Sequence, residues 1–234
     1  MRRSAPHVLA LAAALAAQGC AAAAPARPPA QRALLAPVFF HAVPATDLAR
    51  GAEPAGAALQ QALAAHGVAV VVLAAADFDA IWREATLDLG TLTNASGDLD
   101  QERADAAARA AIALLHARGE RFDVLLLPSL ALRYVEILGN DVSWDGVERS
   151  VPIERTVAKR LGNWPNHEKA PCVSLRVIAY GADGARWFDE YGGVDVASRY
   201  EVRLLAERPR PELFADRAAL SQGAGLALAP LFAR

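Results

Sequence analysis

The chain has 234 residues, a formal net charge of −2 at pH 7 and 54% hydrophobic residues. This length suits one domain with its own buried core, and the near-neutral charge excludes the basic footprint of a nucleic-acid-binding protein. The two cysteines, Cys20 and Cys172, provide no disulfide framework, so packing of the core must stabilise the fold.

The first twenty residues have the pattern of an export signal. Arg2 and Arg3 form a positive start, and an uncharged apolar run at 8–17 follows, which is too short to span a bilayer as a stable anchor. The run ends in the sequence AAQGC, which resembles the bacterial lipoprotein signal, where small residues precede a cysteine that receives diacylglycerol. The resemblance implies a signal peptide at 1–19 and acyl chains such as palmitate on Cys20.

The residues after this cysteine bear on where the protein goes. Because Ala21 stands where Asp would favour retention in the inner membrane, the resemblance implies the periplasmic face of the outer membrane. An ordinary secretory leader, cut at residues 21–24, is the alternative. Residues 20–33 are rich in Ala and Pro, which predicts an extended tether. Residues 34–234 are predicted to form a single α/β domain.

The domain is predicted to begin with alternating strands and helices. A short apolar run at 34–41 predicts the first strand, which Pro37 shortens or places at an edge. Pro54 lies where a helix can begin, and Gly67 is a natural residue to follow its end. The β-branched run at 68–73 predicts the next strand.

Two helices and a long strand are expected next. Asp77 is the expected cap of the first of these two helices. The apolar residues of this helix recur at i, i+3, i+4 and i+7, so they form one buried stripe: Phe78, Ile81, Trp82 and Ala85. Asp98 and Gln101 make a capping-box-like pair for the second helix, which is expected to reach Gly119. The apolar residues of 123–137 predict the strand.

Turn signals follow this strand. A hairpin is expected within 130–153, and it is closed either by the turn at 139–141 or by the pair Asp145 and Gly146. Residues 154–171 are polar and irregular, which indicates a loop or an insertion in the domain.

The last third of the chain predicts a second hairpin and a helix. The runs at 172–180 and 186–196 are separated by a tight-turn signal, which predicts two paired strands. Residues 212–232 predict a final helix, softened in the middle by Gly223 and Gly225. The whole order predicts an α/β fold: a mixed sheet with early crossover helices, late antiparallel hairpins and a C-terminal helix.

Three segments carry a resemblance to a known type of domain. They are a first strand that ends near a proline, LLAPVF, a strand before a hairpin, DVLLLPSL, and a late strand with its tight turn, SLRVIAYGADGARWF. This layout is similar to the periplasmic α/β domain of the curli-secretion lipoprotein (CsgG-like) family and to TolB amino-terminal-like domains. The resemblance, over most of residues 34–200, implies an accessory of envelope assembly or secretion and not an enzyme.

The segment at 144–149 is the candidate protein-binding surface. Trp144 and Arg149 are residue types that anchor protein interfaces, and Asp145 and Glu148 lie between them. The alternative is a hairpin in which Trp144 covers one end of the sheet.

Candidates for chemistry are few. The sequence has no nucleophile elbow, phosphate loop or paired-cysteine motif. Cys172 with His167 and Glu168 leaves open a periplasmic thiol- or metal-dependent hydrolase, although a small side chain near a strand start is the simpler interpretation of Cys172. A small-molecule-binding transport component is a further alternative, which requires a deep apolar pocket with convergent polar groups.

The sequence therefore predicts a non-catalytic, membrane-anchored envelope lipoprotein that acts as a protein-binding accessory in assembly, secretion or transport. Its expected partners are the membrane, through the lipid on Cys20, and other envelope proteins. We expect no nucleic acid, no metal and no cofactor, and a homo-oligomer is left open.

Overall fold

A mixed β-sheet with helices on both faces forms the domain. The computed structural model describes residues 29–40, 48–94, 99–152, 169–201, 204–207 and 212–233. Its elements in chain order are β1 (Arg32–Leu35), β2 (Phe39–Phe40), a 3-10 turn (Leu48–Gly51), α1 (Ala52–Ala65), β3 (Ala69–Val72), α2 (Ala75–Thr86), α3 (Gln101–Ala117), β4 (Val124–Glu136), β5 (Asp141–Trp144), β6 (Val147–Ser150), β7 (Lys169–Gly181), β8 (Arg186–Val196), β9 (Ser198–Glu201), β10 (Leu204–Glu207) and α4 (Arg217–Phe232). The predicted signal peptide, Cys20, His167 and Glu168 lie outside the described residues.

Six strands make the main sheet, in the order β3-β1-β4-β7-β8, with the short β2 beside β4. β1 runs parallel to β3 and to β4, because α1 and the α2–α3 pair carry the chain back across the sheet between these strands. β4 pairs with β7, and β7 with β8, in antiparallel ladders. The predicted fold class, a mixed α/β sheet with early crossover helices, late antiparallel hairpins and a C-terminal helix, is confirmed.

Helices α1 and α4 cover one face of the sheet. Leu59 and Leu63 of α1 are fully buried against it at the expected i, i+4 spacing, and Leu220 and Leu228 of α4 join the same apolar cluster. Gly67 follows α1 with a φ of 74°, the left-handed conformation that a helix end favours. This face therefore holds the larger part of the core.

Glycines set the spacing where α4 meets β8. A Cβ built on Gly192 would lie 2.0 Å from the carbonyl oxygen of Gly223 in α4. On the other face of the strand, a Cβ on Gly193 would lie 2.2 Å from Cγ2 of Val147. Gly223 is therefore a contact residue between the helix and the sheet, and not the soft point in α4 that the sequence indicated.

Helices α2 and α3 cover the other face. The predicted stripe of α2 is confirmed, with three residues buried and one half-buried: Phe78, Ile81, Ala85 and Trp82. The predicted caps were wrong. Asp77 lies inside the first turn of α2, which begins at Ala75, and Asp100 caps α3 by accepting a hydrogen bond from the N–H of Arg103. Asp98 lies outside the described residues.

The hairpin β5–β6 lies across the end of the sheet. Its turn consists of Asp145, with a φ of 40°, and Gly146, with a φ of 80°, as expected for a turn of two left-handed residues. The turn at Gly139, with a φ of 68°, leads into the hairpin and does not close it. The hairpin buries a third apolar cluster against the sheet, which includes Ile137, Val142, Trp144, Val147, Cys172 and Val196.

Two predicted boundaries also differ from the structure. β7 begins at Lys169, so the last residues of the predicted insertion at 154–171 belong to a strand. α4 begins at Arg217, after Asp216, whose carboxylate accepts hydrogen bonds from two backbone N–H groups of the first turn. In the described part of the chain, no helix has both the length and the apolar character needed to cross a membrane.

Candidate functional site

The predicted protein-binding residues lie on the β5–β6 hairpin, but they are not equally accessible. Trp144 is only 7% exposed and packs on Gly193, so it covers one end of the sheet. Glu148 is exposed. Arg149 reaches α4, where its Nη2 donates a hydrogen bond to Oε1 of Gln222 at 2.5 Å. A partner protein can therefore contact Glu148 and Arg149, but not the ring of Trp144.

Asp145 ties the turn of the hairpin to the sheet. Its carboxylate accepts hydrogen bonds from Nε and Nη2 of Arg133, at 3.1 and 3.2 Å, and from the hydroxyl of Ser174 at 2.5 Å. Its backbone carbonyl accepts the N–H of Gly193 at 3.0 Å. Since these contacts are all internal, Asp145 positions the hairpin and is not a free surface carboxylate.

A strip of polar side chains crosses the sheet between the hairpin and the α2–α3 layer. We call Arg133, Ser174, Arg176, Asp189 and Tyr191 the polar strip. Arg176 pairs with Asp189 through two hydrogen bonds, from Nε at 2.7 Å and from Nη2 at 2.5 Å. The Tyr191 ring centroid lies 4.1 Å from the guanidinium carbon of Arg133 and 5.3 Å from that of Arg176.

The environment of the polar strip raises the pKa of two of its residues, Arg176 and Tyr191. The hydrogen bond to Asp189 raises the pKa of Arg176 above its ordinary value. Burial raises the pKa of Tyr191, although the nearby charge of Arg176 acts in the opposite direction. Both groups therefore keep their protons, and the two arginines are each matched by an aspartate.

An apolar cavity of about 300 Å³ opens beside the polar strip, between the sheet and helices α2 and α3. Most of its wall consists of apolar side chains: Phe39, Trp82, Leu92, Leu99, Leu127 and Ile178. The ring centroids of Phe39 and Trp82 are 6.3 Å apart, so two aromatic rings form one side. This volume is at the lower end of the range for small-molecule sites.

Polar groups converge on the same cavity. Ser129 on β4 and Arg176 on β7 are directly paired in the antiparallel ladder, so their side chains are neighbours on one face. Ser129 is 7% exposed, and within the described part of the chain its hydroxyl has no hydrogen-bond partner. Tyr180 donates a hydrogen bond to Oδ1 of Asp105 at 2.8 Å, and burial together with this bond raises its pKa.

Cys172 lies inside the third apolar cluster, near the start of β7. It is fully buried, and its thiol contacts the carbonyl oxygen of Ala170 at 3.7 Å. Burial, helped by the charges of Asp195 and Asp145, raises the pKa of Cys172 from 9.0 to about 12. Because the thiolate is the nucleophilic form, this thiol is poorly suited to attack a substrate at neutral pH.

The polar strip and the cavity were not predicted from the sequence. Ser174 and Arg176 interrupt an otherwise apolar strand at alternate positions, and this was the one signal that could have indicated a polar face. The other residues of the polar strip lie on β4 and β8, and they become neighbours of Ser174 and Arg176 only through strand pairing, which could not be predicted from the sequence. Among the residues that the structure describes, no group of three or more His, Cys, Asp or Glu is placed to hold a metal ion.

Known proteins offer little guidance. No family model and no curated protein matches this sequence. Two solved structures that are similar to this chain are PelC dodecamers from Paraburkholderia phytofirmans. One is 12% identical, with 90% of this chain and 93% of that chain covered and a TM-score of 0.39. The other, a variant with one substitution, is 10% identical, with 88% and 93% covered and a TM-score of 0.38. Likeness at this level carries no argument about function.

Proposed function

We propose that this chain is a non-catalytic lipoprotein of the bacterial envelope, held at the periplasmic face of the outer membrane by acyl chains on Cys20. The observation that carries the proposal is the uncharged apolar run at 8–17, which ends close to Cys20 and is too short to anchor the protein itself. Two or more acyl chains provide stable attachment where one does not. Ala21 supports sorting to the outer membrane.

The domain beyond the tether is proposed to bind other envelope proteins during assembly, secretion or transport. Its support is the sequence pattern shared with CsgG-like and TolB amino-terminal-like domains. On the β5–β6 hairpin, Glu148 is exposed and Arg149 lies at the surface beside α4. These two residues are the proposed contacts with a partner, and Trp144 and Asp145 support the hairpin from inside.

A thiol-dependent hydrolase is the less supported alternative. The Cys172 thiol is 0% exposed and has its pKa raised to about 12, so a substrate would have to reach a protonated sulfur inside an apolar cluster. An accessory role needs no such access.

Crosslinking in native membranes tests the accessory role. The wild-type chain should form a defined crosslinked complex with an envelope protein, and Glu148→Ala or Arg149→Ala should reduce its yield. Glu53→Ala is the matched control, because Glu53 is an exposed acidic residue on a different element, the first turn of α1. Equal yields from all variants would contradict the hairpin assignment. Wild-type protein found free in the periplasm would contradict the anchored role.

A further inference from the structure

Two hydrogen-bond donors at the floor of the apolar cavity have no acceptor in the described part of the chain. Arg176 uses Nε and Nη2 for Asp189, which leaves Nη1 available. The Ser129 hydroxyl, on a residue that is 7% exposed, has no partner there either. Both residues line the cavity and are paired across the β4–β7 ladder, so one ligand oxygen that lies between them can accept a hydrogen bond from each donor. A carbonyl oxygen has two lone pairs for this purpose.

The rest of the cavity favours an apolar ligand of limited size. Its walls are mainly Leu, Ile, Phe and Trp side chains, and its volume is about 300 Å³. A cavity of about 150 Å³ with a similar lining holds one benzene ring, so this one has room for roughly twelve non-hydrogen atoms. An acyl chain of about eight carbons with a small group on its carbonyl carbon is of this size.

The charges around the floor disfavour an anionic ligand. The Arg176 guanidinium is already paired with Asp189, and Asp105, which accepts a hydrogen bond from the Tyr180 hydroxyl, is paired with Arg186 at 3.7 Å. Because these two arginines are already matched by aspartates, neither offsets the hydration that a carboxylate would lose in an apolar space. We infer that the cavity binds a small neutral acyl ester or amide, whose carbonyl oxygen accepts hydrogen bonds from Ser129 and Arg176. This site is separate from the membrane anchor and from the β5–β6 hairpin, and it does not depend on either.

Calorimetric titration with methyl octanoate tests the inference. The full chain is used with Cys20→Ser, so that no acyl chain of its own and no detergent competes for the cavity. Methyl octanoate should bind at one site, about fifteenfold more tightly than methyl hexanoate, since each buried methylene contributes about fourfold. Octanoate should bind at least tenfold more weakly than its methyl ester. No binding of either ester, or equal binding of acid and ester, would overturn the inference.

Variants of the cavity separate its polar and apolar contributions. Ser129→Ala keeps the shape of the floor and should weaken ester binding about fivefold to tenfold, because it removes one donor. Ala104→Leu, at a buried wall position of α3, should weaken binding at least tenfold by filling the space. Ala113→Leu on the exposed side of α3 is the control and should leave binding unchanged. Full ester affinity in Ser129→Ala and in Ala104→Leu would overturn the site, provided that circular dichroism shows both variants folded.

Discussion

Replacing Gly192 with alanine should push α4 away from the sheet. The added Cβ would lie 2.0 Å from the carbonyl oxygen of Gly223, well below the 3.4 Å at which ordinary van der Waals contact begins. The obstacle is backbone, so no side-chain rotation can relieve it, and the helix or the strand must move. Overpacking of a core costs roughly 1–3 kcal/mol. We expect about 3 kcal/mol here, at the upper end of that range, which lowers the melting temperature by about 6–12 °C in a domain of this size.

Denaturant unfolding followed by far-UV circular dichroism measures this change. Gly225→Ala is the matched control, because Gly225 lies in α4, the helix that contains Gly223, and an added Cβ there meets nothing within 4 Å. Alanine at such a helix position should stabilise the protein by about 0.5–1 kcal/mol. If Gly192→Ala unfolds at the same denaturant concentration as the wild type, the close contact between β8 and α4 is refuted.

Three further predictions concern the hairpin and the cluster beneath it. Trp144→Ala should cost about 3–5 kcal/mol of unfolding free energy, because the ring is buried, and wild-type stability would show that it is not. Asp145→Ala should cost about 2 kcal/mol, since Arg133 loses its partner, and an unchanged denaturation midpoint would contradict the contact. Folding raises the pKa of the Cys172 thiol from 9.0 to about 12, so the thiol of the unfolded chain loses its proton first as the pH rises. The free energy of unfolding should therefore be unaffected by this group below pH 9.0 and should fall as the pH rises from there toward 12. In a Cys20→Ser variant, iodoacetamide at pH 8.5 should label Cys172 in the unfolded chain only. Equal labelling of Cys172 in the native protein would count against the burial of its thiol.

The sequence predicted those elements whose signal is local. The stripe of α2 and the β7–β8 hairpin depend on spacing and turn residues within a short stretch, and both appear in the structure. The turn that closes β5–β6 could not be chosen from the sequence, because Gly139 and Gly146 both adopt positive φ. Which turn closes the hairpin is decided by the length of β4. Because β4 stays paired with β7 as far as Glu136, only residues 141–150 are left to form the hairpin, and its turn is then Asp145 and Gly146.

The candidate site was harder to predict, because it depends on contacts between distant parts of the chain. Ser129 and Arg176 become neighbours only through the register of β4 and β7. Trp144 has the residue type of an interface anchor, and its burial depends on Gly193, which lets the ring lie against the strand. The exposed Glu148 and the half-buried Arg149 keep their predicted role as protein contacts, which remains a proposal.

The proposed attachment to the membrane is tested most directly by mass spectrometry of the mature amino terminus. Protein purified from native membranes should begin at Cys20 and carry the mass of its acyl chains, and Cys20→Ser should abolish that mass. A mature chain that begins after Cys20 and has no fatty acid would contradict the account.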